Sequence, residues 1–184
     1  LLATPRVVVT QTIAPAAAQR AVHNFEHLLS LGFWRFNLLP GYYIPWRKSQ
    51  IEGLRKSFDA MATRMEQRWN ADQPLYLRNL FTWAPTPFFN TGLVVDADRT
   101  IHPSNVGLSG QLDGLRGKTQ VGDLDNPPTK ETIEVRAREI GVMLQETLPE
   151  KIWHSTLAVD AELTALCQRL YPTYIAYRKR RNAA

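Results

Sequence analysis

Residues 33–54 read FWRFNLLPGYYIPWRKSQIEGL, and they decide the fold class. FWRFNLL (33–39) is a short aromatic and aliphatic run with the character of a strand. Pro40-Gly41 breaks it, and an aromatic loop, GYYIPWRK, follows. Ser49 with Glu52 three residues later predicts a capping box at the start of a helix. Behind that box Ile51, Leu54, Phe58, Met61, Met65 and Trp69 recur at three- and four-residue steps. They form one apolar stripe, read as core rather than as a cofactor box.

The same alternation extends both ways. RVVVTQT (6–12) is a β-branched run expected to be a buried strand. A helix should begin near Pro15 and stop at Gly32. After the long helix, Asp72-Gln73-Pro74 marks a break, and LYLRNLF (75–81) predicts a third strand. Strand, helix, strand, helix, strand implies parallel pairing with right-handed crossovers. Functional groups in such sheets gather where strands end, which places Thr10, Thr12, Asn37, Asn79 and Thr82 as candidates.

After Trp83 the pattern changes. APTPFFNTG is a Pro-rich joint. LVVDADRTIHPSNVGLS (93–109) predicts an antiparallel hairpin turning at Asp96–Arg99. Gly110 to Pro128 is Gly- and Asp-rich and expected to be irregular. Thr129 should cap a helix ending near Pro149. A last helix is expected from about Asp160, kinked or split at Pro172.

Composition sets the class. The chain has 184 residues, 44% hydrophobic and 21% charged, which is the balance of a soluble globular protein. No apolar run reaches the roughly 20 residues of a membrane helix, so no membrane partner is expected. The start lacks an initiator Met and a signal-peptide layout, as expected of a fragment or a processed product. Net charge is +5, part of it in the run Arg178-Lys179-Arg180-Arg181. That run reads as a solvated helix end complementing the helix dipole, and no nucleic-acid partner is expected. The single cysteine, Cys167, excludes a disulfide framework, an iron–sulfur cluster or a multi-cysteine zinc site held by this chain alone. It is compatible with a reducing cytoplasm, the expected location.

Two short motifs test the alternatives. HNFEH (23–27) matches the H-x-x-E-H zinc signature of inverzincin peptidases. With Phe25 at the centre of the buried face, Ala18, Ala21, Val22, Leu28 and Leu29 fall within about 60° of it, and His23 and His27 about 160° away. Both imidazoles should face solvent, where a catalytic zinc lacks a third ligand and a cavity. LVVDADRT (93–100) matches the D-x-D-x-T of haloacid-dehalogenase-type phosphatases, with Asp96 as nucleophile and Asp98 as general acid/base around magnesium. That chemistry needs a parallel sheet continuing after the motif, whereas Ile101 to Ser109 predicts a returning strand. Cys167 lies on an apolar stripe, and Ser155 has no oxyanion motif around it. The loop Tyr42-Tyr43-Ile44-Pro45-Trp46 offers either a stacking surface for a ligand or a lid packed over the sheet.

RFNLLPGYYIPWRKSQIEGL, then LYLRNLF, then FFNTGLVVDADRTIHPSNVGLS together resemble the C-terminal half of radical S-adenosylmethionine enzymes with a SPASM- or twitch-like extension. The resemblance covers about residues 6–125 and rests on segment order. It implies an α/β fold, the C-terminal half of a partial (βα)₆ TIM-like barrel, over residues 1–83. A degenerate β-hairpin extension would follow over 84–128, and a helical segment over 129–184. In that family a C-x₃-C-x₂-C loop binds a [4Fe–4S] cluster that reductively cleaves S-adenosylmethionine. Both cofactors are implied for a full-length parent. The cysteine loop and the N-terminal half-barrel are absent from this chain, so neither cluster nor catalysis is expected of it alone. Asn90 and Ser104 stand where extension cysteines would bind auxiliary clusters. The resemblance implies that Thr10, Thr12, Asn37 and Asn79 help hold the cofactor. Tyr42, Tyr43 and Trp46 would meet a peptide or small-molecule substrate. The alternatives are a non-catalytic binding or scaffold module and the D-x-D-x-T phosphatase.

Overall fold

The computed structural model describes residues 7–81, 93–108 and 110–183. Thr82, Trp83, Asn90, Ser109 and the Pro-rich joint lie outside them. The chain divides into two compact units: Leu1–Pro85 with Ser155–Ala184, and Thr86–His154.

The first unit is α/β. Strands β1 (Val9–Ile13), β2 (Arg35–Pro40) and β3 (Tyr76–Leu77) pair in parallel in chain order. Helices α1 (Ala21–Ser30, preceded by a 3₁₀ turn at Pro15–Arg20) and α2 (Lys48–Asn70) make the crossovers. The phase read from HNFEH holds: Phe25 is 0% exposed and packs on Phe36 with ring centres 4.8 Å apart, while His23 and His27 are exposed. The α2 stripe is likewise buried from Leu54 to Trp69. Its cap lies two residues earlier than Ser49: the Arg47 N–H donates to Gln50 Oε1 at 2.8 Å, the same i to i+3 logic displaced. The turn after α1 closes at Gly32, whose φ of 91° favours glycine.

Helix α5 (Glu150–Ala183) enters the first unit at Ser155. It begins ten residues before the expected start and passes through Pro172 without ending. Leu170, Tyr174 and Tyr177, on both sides of the proline, are buried in the core shared with Trp69, and that packing outweighs one lost backbone bond. Arg55 pairs with Glu162, Arg169 with Glu66, and Arg180 donates to the Trp69 carbonyl at 2.8 Å. Sequence number rises together along both helices, so α5 runs parallel to α2. Helix α1 does the same: Ser57 Oγ donates to the Ala18 carbonyl at 2.6 Å and Arg64 faces Glu26 at 3.6 Å. Three parallel helices thus follow three parallel strands, with the second unit lying in the chain between β3 and α5.

Strand β3 is shorter than LYLRNLF suggested, giving way to a 3₁₀ turn at Arg78–Leu80. The ladder is completed by a side chain. Asn79 Oδ1 accepts from the Leu38 N–H at 2.8 Å, and its Nδ2 donates to the Leu38 carbonyl at 2.9 Å.

In the second unit β4 (Val94–Val95) and β5 (Thr100–His102) form the expected antiparallel hairpin. The stretch expected to be irregular carries 3₁₀ turns at Asn105–Leu108 and Gly110–Leu115, the short helix α3 (Arg116–Thr119), and β6 (Gly122–Asp123), which pairs antiparallel with β5. Helix α4 (Lys130–Thr147) is capped by Thr129, whose hydroxyl accepts from the Thr132 N–H. A Cβ on Gly107 would stand 1.9 Å from Thr119 Oγ1, so only glycine fits that close approach.

Candidate functional site

The parallel sheet has two unlike faces. Val9, Gln11 and Ile13 of β1 and Phe36, Leu38 and Pro40 of β2 alternate with Thr10, Thr12, Arg35, Asn37 and Leu39. The first set turns toward the helices, and the Gln11 amide donates to the Ala21 carbonyl at 2.8 Å. On the other face Thr10, Thr12 and Leu39 are exposed and Asn37 is half-buried. Register puts Thr10 opposite Asn37, whose amide reaches the threonine hydroxyl at 3.5 Å, a weak contact. These three candidates therefore share one open polar surface. Tyr76 joins it on the far side, with the Arg35 guanidinium 4.3 Å from its ring centre.

Asn79 stands apart from them. It is 9% exposed, and both ends of its amide are committed to Leu38. Its geometry is that of a ladder substitute.

The aromatic loop is pinned to the start of α5, a contact more than 100 residues away in sequence. Thr156 Oγ1 accepts from the Tyr43 N–H at 3.0 Å, and Ser155 Oγ accepts from the Trp46 N–H at 3.2 Å. Trp46 is buried, and its indole N–H donates to the Gly41 carbonyl at 2.8 Å. Tyr43 has a φ of 62°, a conformation that costs a side-chain-bearing residue ~1–3 kcal/mol and that these anchors maintain. Tyr42 and Tyr43 stay half-buried, with ring centres 6.3 Å apart. Of the two readings of this loop, Trp46 follows the packed one, while the tyrosines keep partial access.

Beneath the loop lies a group that sequence reading missed. Asp160 is 7% exposed and accepts from the Tyr42 hydroxyl at 3.2 Å. Burial raises its carboxyl to about 6, and the Tyr42 hydrogen bond pulls the other way. Burial also raises the Tyr42 and Tyr43 phenols, with the Asp160 charge adding to it. The Cys167 thiol is pushed up to about 12 by burial, which leaves it protonated and unreactive. A lone aspartate on a predicted helix carries no sequence signal of burial; only the fold of the 41–46 loop creates it.

In the second unit the paired aspartates of the hairpin turn are already bridged. Arg116 Nη2 donates to Asp96 Oδ2 at 2.5 Å and to Asp98 Oδ2 at 2.7 Å. Asp98 also accepts from the Thr100 hydroxyl at 2.6 Å, and that bond is the largest cause holding its carboxyl down at about 2. Strand β5 returns antiparallel, so the parallel crossover that D-x-D-x-T chemistry uses does not follow the motif. His102, fully buried, sits between the hydroxyls of Thr100 and Thr119 at 3.0 and 3.1 Å. Ser104 is buried, and its hydroxyl accepts from the Val106 N–H, closing a local turn. Among the described residues no three His, Cys, Asp or Glu side chains gather as a metal site, and no helix is long and apolar enough to cross a membrane.

No protein-family model matches this chain. No curated protein matches it either.

Proposed function

We propose that the chain is the C-terminal portion of a radical S-adenosylmethionine-type enzyme, supplying barrel wall and a substrate-side extension. The observation that carries this reading is the uncovered face of the parallel sheet. Parallel sheets are normally buried on both faces, yet Thr10 and Thr12 are exposed on the side away from the helices. A sheet whose strands add in chain order, with the described helices that pack on it against one face, has the arrangement that an arc of a singly wound barrel would have. In a partial (βα)₆ barrel the open face lines the lumen, and a missing N-terminal half-barrel continues the sheet beyond β1.

In this reading Thr10, Thr12 and Asn37 offer hydroxyls and an amide to S-adenosylmethionine or to a peptide or small-molecule substrate. Tyr42 and Tyr43 stand beyond the C-terminal end of β2, where barrel sites lie. The second unit occupies the chain position of a long loop after β3. A [4Fe–4S] cluster needs three or four thiolates, and the single buried Cys167 does not fit that requirement. In this reading a cluster would be held by residues outside this chain, and no chemical step is assigned to it here.

The alternative is a stand-alone binding or scaffold module that uses the aromatic loop and the hairpin. Reading the coding region upstream of Leu1 discriminates the two. A cysteine triad spaced C-x₃-C-x₂-C supports the enzyme portion, and a start codon immediately before Leu1 supports the module.

A further inference from the structure

The opposite end of the sheet carries a second candidate site. Trp34 and Arg35 open β2, Tyr76 opens β3, and the last turns of α5 bring Tyr177, Arg178 and Arg181 against them around a cavity of about 390 Å³. Among the described residues no aspartate or glutamate lines it. The basic run at 178–181 is thus not uniform. Residues 178 and 181 share a helix face with Tyr174 and Tyr177, whereas Arg180 turns to Asp72 and the Trp69 carbonyl.

Elsewhere in this unit arginines meet carboxylates, as Arg55 meets Glu162 and Arg169 meets Glu66. Among the described residues the three cavity guanidiniums meet none. Each is held by an aromatic ring instead. Arg35 lies over Tyr76, Arg178 donates to the Tyr174 hydroxyl at 3.2 Å, and Arg181 donates to the Tyr177 hydroxyl at 3.1 Å. Such contacts orient a guanidinium without neutralising it, and most of its five N–H donors stay free. Arg35 Nε is buried without a hydrogen-bond partner. Complementing the C-terminal dipole of α5 explains cations at 178 and 181, but not Arg35, which comes from a strand.

We propose that this arginine cleft binds a phosphate group of a phosphorylated ligand. Three preoriented guanidinium forks, none in an ion pair among the described residues and with the nearby Asp72 paired to Arg180, suit the tetrahedral, multiply charged phosphate, which accepts bidentate hydrogen bonds. The phosphate could come from a free phosphorylated small molecule or from a nucleic-acid backbone, and the two sources are separable by experiment. All its residues lie within one unit, and Arg35 and Tyr76 stand where β2 and β3 begin, the end of the sheet opposite the aromatic loop, so the cleft is already formed in this chain.

The test is isothermal titration of the full chain at low salt with pyrophosphate, citrate and a short single-stranded oligonucleotide. Arg178→Ala, Arg181→Ala and, as a charge-matched control, Lys179→Ala are titrated alongside, with circular dichroism to verify folding. Pyrophosphate is expected to bind, and each arginine variant to weaken it about tenfold while Lys179→Ala does not, as for loss of a charge-assisted hydrogen bond. An oligonucleotide binding more tightly than pyrophosphate, with the same variant pattern, assigns the source to a nucleic-acid strand; the reverse order assigns it to a small molecule. Absence of binding by both phosphate probes, equal loss in Lys179→Ala, or citrate binding as tightly as pyrophosphate would overturn the proposal.

Discussion

Replacing Asn79 by Ala separates a structural amide from the exposed polar groups on the same sheet. In the native chain both amide ends are used, at 2.8 and 2.9 Å, on the N–H and carbonyl of Leu38, a residue with no solvent exposure. Truncation leaves two buried backbone groups without partners. At ~1–3 kcal/mol for each such group, and with some relief from water at the sheet end, the expected loss is about 3 kcal/mol. For a urea dependence of about 2 kcal/mol per molar, the midpoint should fall by ~1.5 M. Asn79→Asp should be no better, because it keeps the acceptor for the N–H but sets a carboxylate oxygen against the carbonyl. Asn37→Ala, which loses only the 3.5 Å contact to Thr10, should cost under about 0.5 kcal/mol. The assay is urea unfolding followed by tryptophan fluorescence, with buried Trp46 and Trp69 as reporters. Equal midpoint shifts for Asn37→Ala and Asn79→Ala, or a shift below about 0.3 M for the latter, would refute the ladder role assigned to Asn79.

Two further outcomes follow from burial. Phe25→Ala should destabilise by ~3–5 kcal/mol, because it empties a fully buried site against Phe36, whereas His23→Gln with His27→Gln should shift the thermal midpoint by less than a degree or two. Asp160 has a folded-state carboxyl near 6 against a reference near 3.8, so the neutral form is favoured by folding. Its contribution is complete below about pH 4 and lost as pH rises through 6. The loss should be ~1–2 kcal/mol after discounting for partial solvation, and it should vanish in Asp160→Asn, measured by urea midpoints between pH 4 and 7.

The alternation of strands and helices was legible because its signals are local. Period-two and period-3.6 patterns, Pro40-Gly41 and Gly32 act within a few residues, and the phase of Phe25 against His23 and His27 follows from helix geometry alone. What was not legible depends on distant partners. Helix α5 runs on through Pro172 because Tyr174 and Tyr177 pack on Trp69, and nothing near the proline announces this. Strand β6 is two residues long, below any periodic signal. At the candidate site, Thr10, Thr12 and Asn37 could be placed by strand position, since alternation fixes the face. Asn79 could not, because β3 turns into a 3₁₀ helix just before it. Asp160 was invisible because its burial is made by a loop more than 100 residues earlier.

The central claim is that the open sheet face belongs to a barrel completed by a segment encoded upstream. The most direct measurement is anaerobic iron–sulfur reconstitution of the product of the whole reading frame beside residues 1–184, with cluster content and cleavage of S-adenosylmethionine as readouts. The longer product should hold a [4Fe–4S] cluster and cleave the cofactor, and Thr10→Val with Thr12→Val should weaken cofactor or substrate binding without loss of the cluster. A reading frame that starts at this chain, a longer product without a cluster, or residues 1–184 cleaving the cofactor alone would contradict the account.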